Sequence, residues 1–223
     1  MKKFIIIGII LLVLGGVGAL VVYNMDWGGR TSTVEKTEVI EAVDATDAAG
    51  NILPSMDDLS GLYAVSTETG KAELLFEIDG LKETKGAFEE FETTLNVADD
   101  YTSSKLEVRI QAASLNTENK MRDEHLREAE YFDVHTHPEI VFTADAIRFD
   151  GEKYLANGVL SFLGNEQEMT INFDHIGGQD LDGKHIEVFE GNFEFDRTAY
   201  GMKEESGIGN IVTISFYVEL EQK

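Results

Sequence analysis

The strongest constraint on the fold of this chain is a period of two in its apolar residues. Between Lys105 and Ala112, the apolar residues Leu106, Val108 and Ile110 alternate with charged or polar ones. Successive side chains of a strand point to opposite faces, so the pattern predicts a β-strand with one buried and one solvated face. Because the strands of a parallel sheet are buried on both faces, it also indicates antiparallel pairing.

The same alternation recurs through the rest of the domain that we assign to residues 61–223. It appears, with Gly-, Asp- and Asn-containing turns between the segments, at 72–78, 140–146, 154–162, 169–173, 186–195 and 211–220. About eight antiparallel strands must hide their edges, and closure into a barrel does this. Residues 119–131 instead show helical spacing. The predicted fold is therefore all-β, a barrel of about eight strands with one short helix.

The side chains predicted to face inward mix large rings with small residues. The rings are Phe142, Phe162, Phe173, Phe193 and Phe195, and the small residues are Ala112, Ala144, Ala156 and Gly158. A barrel of this strand number is either filled by its side chains or holds one small ligand. The pattern leaves both alternatives open.

The first residues of the chain form a membrane signal. Lys2 and Lys3 precede an uncharged run at residues 4–23, about the length needed to cross a bilayer as a helix. The positive end is expected to stay in the cytoplasm, which places the rest of the chain outside it. Small residues at 17–19 also suit a signal-peptidase site. Residues 1–23 are thus predicted as a membrane anchor or a signal peptide, and the domain as extracytoplasmic.

Charge separates a linker from the domain and excludes one class of partner. Residues 24–60 lose the apolar pattern and are rich in acids, which predicts an acidic flexible linker. The whole chain has a net charge of -24. A surface with this much negative charge repels the phosphate backbones of DNA and RNA, which excludes nucleic acid as a partner.

No residue pattern indicates catalysis or metal binding. The chain has no Cys, no Gly-x-Ser-x-Gly and no Ser with His and Asp in a known order, so we predict no enzyme activity and no cofactor. His135 and His137 on an extended segment, with Asp133 or Glu139, would suit a metal ion. Histidines at a helix-to-strand junction beside Pro138 are more often solvated, and we predict no metal site.

A more specific pattern lies at residues 116–142. Arg-Asp-x-His-Leu at 122–126 is followed by Phe-Asp-Val-x-x-x-Pro-x-Ile-x-Phe at 132–142. Together these stretches resemble the signature of the YceI family. Gly86 with Phe88 is similar to the family's Gly-x-Phe turn, and residues 197–202 resemble its Arg-x-x-x-Gly-Met stretch. The resemblance covers about residues 60 to 221.

The resemblance implies a lipocalin-like, extended antiparallel barrel, secreted or periplasmic, that holds a polyisoprenoid in an apolar tunnel. The residues expected to line the tunnel are Phe142, Phe162, Phe173, Phe193, Phe195, Leu106 and Ile110. Such a ligand gains affinity by removing apolar surface from water, at about 25 cal/mol per Å². Residues 163–168 are acidic where many family members are basic or contain Gly-Thr, which favours a neutral ligand such as a quinone over a pyrophosphate.

Three polar residues are candidates for the rim of the tunnel. Arg122, His125 and Arg197 are expected either to meet a ligand head group or to tie the helix and the barrel end together by hydrogen bonds. The predicted function is a membrane-tethered carrier or binding protein for a polyisoprenoid or similar amphiphile. The alternative is a non-catalytic stress-response or adhesion domain with a filled core, acting through its acidic surface. The predicted partners are an isoprenoid lipid or quinone and the membrane, and a homodimer is compatible with both functions.

Overall fold

The structure is a computed structural model that describes residues 32–41, 45–46, 52–53, 56, 59–65, 70–80 and 84–223. Short 3-10 turns lie at Tyr101–Ser103, Ala112–Ser114 and Arg197–Tyr200. The α-helix and the strands are α1 (Lys120–Leu126), β1 (Ile40–Glu41), β2 (Ala45–Thr46), β3 (Ile52–Leu53), β4 (Gly61–Val65), β5 (Ala72–Gly80), β6 (Thr84–Phe88), β7 (Phe91–Val97), β8 (Lys105–Gln111), β9 (Leu115–Asn116), β10 (Glu139–Phe149), β11 (Tyr154–Phe162), β12 (Asn165–Leu181), β13 (Lys184–Asp196) and β14 (Ile208–Gln222).

Eight long antiparallel strands form a closed barrel. Three of them are interrupted, so that β4 and β5, β6 and β7, and β8 and β9 each act as one strand of the ring. Strands β10 to β14 then follow in chain order, and β14 closes the ring by pairing with β4 and β5. Each strand pairs with its neighbours in sequence, which is an up-and-down barrel. The predicted all-β barrel of about eight strands is confirmed.

The register of the strands decides which side chains face inward. Phe142 on β10 lies opposite Val108 on β8 and Leu160 on β11. Directly opposed residues of an antiparallel pair share a face, so these three side chains point into the barrel together. One predicted alternation is wrong: a bulge after Ala144 shifts the phase of β10, so that Ile147, and not Ala146, is fully buried.

Helix α1 and the chain that follows it lie at one end of the barrel, which we call the helix end. The side chain of Asn119 caps the helix by accepting a hydrogen bond from the backbone N–H of Arg122. Phe132, in the turns after the helix, packs against the rings of Phe88 at 5.8 Å and Phe162 at 5.5 Å. The predicted short helix is confirmed, and its continuation closes the barrel over these rings.

The opposite end, which we call the tyrosine end, is closed by residues that precede β4. Met56 is fully buried, and its backbone N–H donates to the hydroxyl of Tyr154 at 2.9 Å. The ring of Tyr154 stacks on Phe173 with 5.4 Å between centroids and meets the edge of Tyr101 at 6.1 Å. This end is thus plugged by a side chain from outside the ring of strands.

Residues 32–41, which fall in the range predicted as a linker, cross the outer wall of the barrel. The backbone N–H of Thr33 donates to Glu73 at 3.0 Å, and that of Thr37 donates to the hydroxyl of Tyr217 at 3.2 Å. Lys36 forms an ion pair with Glu190. Strand β1 then pairs with β12 at Gly177 and Gly178.

The predicted membrane segment at residues 4–23 lies outside the described residues. Across the described ranges, no helix combines the length and the hydropathy needed to cross a membrane.

Candidate functional site

The inner face of β10, β11 and β12 is tightly packed. The inward-facing Phe142, Leu160, Phe162, Ile171 and Phe173, from β10, β11 and β12, are all less than a tenth exposed. These side chains fill the part of the barrel interior next to β10, β11 and β12.

The inner faces of β8 and β13, in contrast, are partly exposed. Leu106, Val108 and Ile110 face inward from β8, and Phe193 and Phe195 face inward from β13, which lies on the opposite side of the ring. An inward-facing apolar side chain in a filled core would be covered completely, so partial exposure means that the two walls do not meet. A cavity of about 120 Å³ lies between them.

The lining of this cavity is apolar apart from Thr93 and Arg197. Cavities of this order with apolar walls stay dry and accept apolar ligands. Along β14 the lining runs from Val212 to Leu220. That distance is about 27 Å along a strand and about 20 Å along the axis of a barrel whose strands tilt by about 40°. The cavity is therefore long and narrow, a shape that suits an extended chain.

All of the residues predicted to line a tunnel lie on the wall of this cavity. They are Phe142, Phe162, Phe173, Phe193, Phe195, Leu106 and Ile110. The sequence reasoning missed the contribution of the first strands and of the chain after the helix, from which Phe88, Thr93, Leu95 and Phe132 also line it. The alternation of Phe91, Thr93, Leu95 and Val97 was the signal that could have found strand β7.

Two glycines lie where an added side chain would collide with an aromatic ring. A Cβ atom on Gly158 would lie 2.8 Å from the ring of Phe142, and one on Gly86 would lie 2.6 Å from the ring of Phe76. Gly86 was predicted in a turn. It lies instead within β6, where close approach of the Phe76 ring requires the missing side chain.

Two of the predicted rim residues lie at the helix end but do not line the cavity. Arg122 donates from Nε to the hydroxyl of Thr117 at 2.8 Å and from Nη2 to its carbonyl at 3.0 Å. Its neighbour Asp123 accepts from the backbone N–H and the hydroxyl of Thr117. His125 is exposed, with its ring 4.8 Å from that of Tyr131. Of the two roles predicted for Arg122, these contacts fit the one in which its hydrogen bonds tie the helix to the barrel end.

Arg197, the third predicted rim residue, lies on the cavity wall and is only 2% exposed. Its guanidinium donates from Nε to the carbonyl of Gly209 at 2.9 Å, from Nη1 to that of Lys203 at 2.5 Å and from Nη2 to Oδ1 of Asn210 at 3.3 Å. The Arg-x-x-x-Gly-Met stretch therefore places a cation at the helix end of an apolar cavity.

At the helix end, a short hydrogen bond links the chain after α1 to the chain before β14. The hydroxyl of Tyr131 donates to Glu205 at 2.6 Å. This bond, with partial burial, raises the pKa of Tyr131 to about 12, so the hydroxyl keeps its proton at neutral pH.

The histidines considered for metal binding do not form a site. His135 is exposed, and a Cβ atom on Gly164 would lie 2.9 Å from the ring of His137, which packs on that turn. In the part of the chain that the structure describes, no group of three His, Asp or Glu side chains has a metal-binding arrangement.

Comparison with known proteins identifies the family. A sequence model of the YceI-like domain matches residues 63–220. The chain belongs to the YceI family. A UPF0312 protein of Photorhabdus laumondii is 30% identical over 124 residues, which is 55% of this chain and 65% of that protein, just under two thirds of its length.

Solved structures share the YceI fold. BcnA of Burkholderia cenocepacia superposes with a TM-score of 0.60 at 21% identity, covering 70% of this chain and 98% of BcnA. A polyisoprenoid binding domain from Saccharophagus degradans, implicated in plant cell wall breakdown, superposes with a TM-score of 0.54 at 15% identity, covering 74% of this chain and 100% of that domain. At these identities the likeness concerns the fold.

Proposed function

We propose that this YceI protein is a carrier or binding protein that holds a polyisoprenoid or similar long-chain amphiphile in its barrel. The observation that carries the proposal is the long apolar cavity between β8 and the strands β13 and β14. The polyisoprenoid binding domain of Saccharophagus degradans, which shares the fold, supports it.

The binding energy of the apolar chain comes from burial of its surface against the wall of the cavity. Each 100 Å² of apolar ligand surface removed from water contributes about 2.5 kcal/mol. A long chain needs more room than 120 Å³, so the partly exposed rings of Phe91, Phe193, Phe195 and Phe216 turn aside to admit it. Such side-chain rotations are ordinary on binding. No catalytic step is needed, and we propose a binding protein and not an enzyme.

The location of the protein is also part of the proposal. Residues 4–23 have the length and composition of a membrane anchor, and the two lysines before them favour an extracytoplasmic domain. In this arrangement residues 24–60 connect the anchor to the barrel, the membrane is a partner, and the ligand is an isoprenoid lipid or quinone. A homodimer is compatible with this arrangement. The alternative function, an adhesion or stress-response domain with a filled core, requires walls that meet, and the gap between β8 and β13 argues against it.

A cavity-filling variant tests the proposal. Val108→Trp places an indole in the gap, where it costs little stability but occupies the space of the ligand; in a filled core the same change would destabilise the fold by about 1–3 kcal/mol. The matched control is Glu107→Trp on the outer face of the same strand. Lipid bound by wild type and control but lost from a folded Val108→Trp would support the proposal, and unchanged lipid content would refute it.

A further inference from the structure

Arg197 is a buried cation on the wall of the apolar cavity, and its guanidinium forms no direct ion pair within the described ranges. The acceptors of its guanidinium are two backbone carbonyls and a side-chain amide oxygen, all of them uncharged. The exposed Glu204 is one step removed, since it accepts from the side-chain amide of Asn210. Burial of a charge is costly unless it is paired or fully hydrogen-bonded, so the groups around Arg197 must account for its donors.

The guanidinium of Arg197 has more N–H groups than acceptors around it. A guanidinium carries five N–H groups, and two carbonyls and the Asn210 amide oxygen take three of them. The other cavity-lining residues are apolar except for Thr93 on β7. Two N–H groups of a fully buried cation are thus left for an acceptor that the cavity wall does not supply.

The two ends of the cavity differ in this respect. Arg197 lies at the helix end, whereas the lining toward the tyrosine end consists of apolar residues such as Phe173, Phe189 and Leu220. Beyond them the end is plugged by the buried Met56. A ligand with one polar and one apolar terminus therefore has one favourable orientation.

We propose that Arg197 binds an oxygen acceptor in the head group of the amphiphile and so selects ligands that carry one. The inference rests on the proposed function and deepens it. The head group lies at the helix end and the chain points to the tyrosine end. A hydroxyl, a quinone carbonyl and a phosphate all supply the acceptor, whereas a hydrocarbon leaves the two N–H groups unmet and an ammonium head group is repelled.

Binding of four ligands to the delipidated full chain tests the proposal. They are a polyprenol, its monophosphate, a prenylquinone and a hydrocarbon of matched chain length, each measured by displacement of a fluorescent fatty probe. We expect at least one oxygenated ligand to bind about tenfold to a hundredfold more tightly than the hydrocarbon, the range for a hydrogen bond to a charged group. The ligand that gains most distinguishes a neutral head group from an anionic one.

Two variants separate recognition from a merely structural role. Arg197→Met should remove the preference for oxygenated ligands while hydrocarbon binding stays; loss of all ligands in equal proportion from a folded variant would overturn the proposal. Asn210→Asp keeps the test valid if Arg197→Met does not fold, because its carboxylate would neutralise the guanidinium. It should lower the affinity of the monophosphate relative to the hydrocarbon, and an unchanged ratio would overturn the proposal.

Arg122→Gln is the matched control, since Arg122 lies at the same end but its guanidinium donates to Thr117 and does not line the cavity. It should leave the preference unchanged. A wild-type chain that binds none of the four ligands would refute the proposed function itself. A chain that binds hydrocarbon and oxygenated ligands equally would overturn only the role of Arg197.

Discussion

At the scale of single residues, the carboxylate of Glu187 on β13 is shared by two histidines. Its buried carboxylate accepts from Nε2 of His175 at 2.6 Å and from Nε2 of His185 at 2.6 Å. The other ring nitrogen of His185, Nδ1, lies 2.9 Å from Asp180. With a carboxylate at each nitrogen, His185 is fully satisfied only as an imidazolium.

This arrangement predicts that the protein loses stability as pH rises. The hydrogen bond to Asp180, followed by that to Glu187, raises the pKa of His185 above its usual 6.5. A group whose pKa is higher in the folded state stabilises that state fully below the unfolded value, and the contribution is lost as pH rises through the folded value. Urea unfolding should therefore show a free energy of unfolding that falls across this window.

The matched variants for this prediction are Asp180→Asn and His135→Gln. Asp180→Asn removes the main cause of the shift and should flatten the dependence on pH. His135→Gln changes an exposed histidine and should leave it intact. A wild-type protein whose stability is flat or rises from about pH 6 to pH 9 would contradict the assignment.

At the scale of elements, helix α1 is held on the barrel by a buried carboxylate. Asp123 is 7% exposed and accepts from the backbone N–H of Thr117 at 2.8 Å and from its hydroxyl at 2.6 Å. Asp123→Ala leaves both donors buried without their acceptor. We expect it to lower the free energy of unfolding by about 3 kcal/mol.

The neighbour Glu124 provides the control for this change. It is exposed and forms an ion pair with the exposed Lys120 at 3.8 Å. Glu124→Ala should change the stability by less than about 0.5 kcal/mol. Equal effects of the two alanine variants in thermal unfolding would mean that Asp123 does not anchor the helix.

The segment at residues 32–41 is held by a second buried polar group. The hydroxyl of Tyr217 accepts from Thr37 and donates to Glu219 at 2.7 Å, and the other carboxylate oxygen of Glu219 has no hydrogen-bond partner among the described residues. Tyr217→Phe should therefore destabilise the fold by about 1–3 kcal/mol. Ser215→Ala, an exposed outward-facing neighbour on β14, should be near neutral in the same denaturant titration.

How well the sequence predicts an element depends on whether one of its faces is wet. Strand β8 can be predicted from the sequence because polar residues alternate with its apolar ones. Strand β6 cannot, since four of its five residues are buried and no alternation remains. Residues 32–41 contact the wall through backbone groups and a lysine, which leave no apolar pattern. The bulge in β10 also has no sequence signal of its own.

The same limit applies to the candidate site. Alternation predicts which side chains face inward, and for this reason all seven predicted lining residues lie on the cavity wall. It contains no information about the distance across the barrel, which depends on strand tilt and stagger. Whether Val108 on β8 meets Phe193 on β13 could not be predicted from the sequence.

At the scale of the whole molecule, the barrel combines an acidic exterior with an apolar interior. The net charge of -24 makes the chain strongly acidic, and the wall of the cavity offers a continuous apolar surface to a ligand. Bound lipid is therefore the property that most directly distinguishes this account from one in which the surface carries the function.

The measurement that tests this claim most directly is native mass spectrometry of the full chain purified from a bacterial host, followed by solvent extraction. For the wild type we predict a mass above that of the bare polypeptide, with one prenyl lipid or related amphiphile per barrel. For Val108→Trp we predict the mass of the polypeptide without lipid. A wild-type chain at its bare mass that also refuses added prenylquinones and polyprenols would contradict the account.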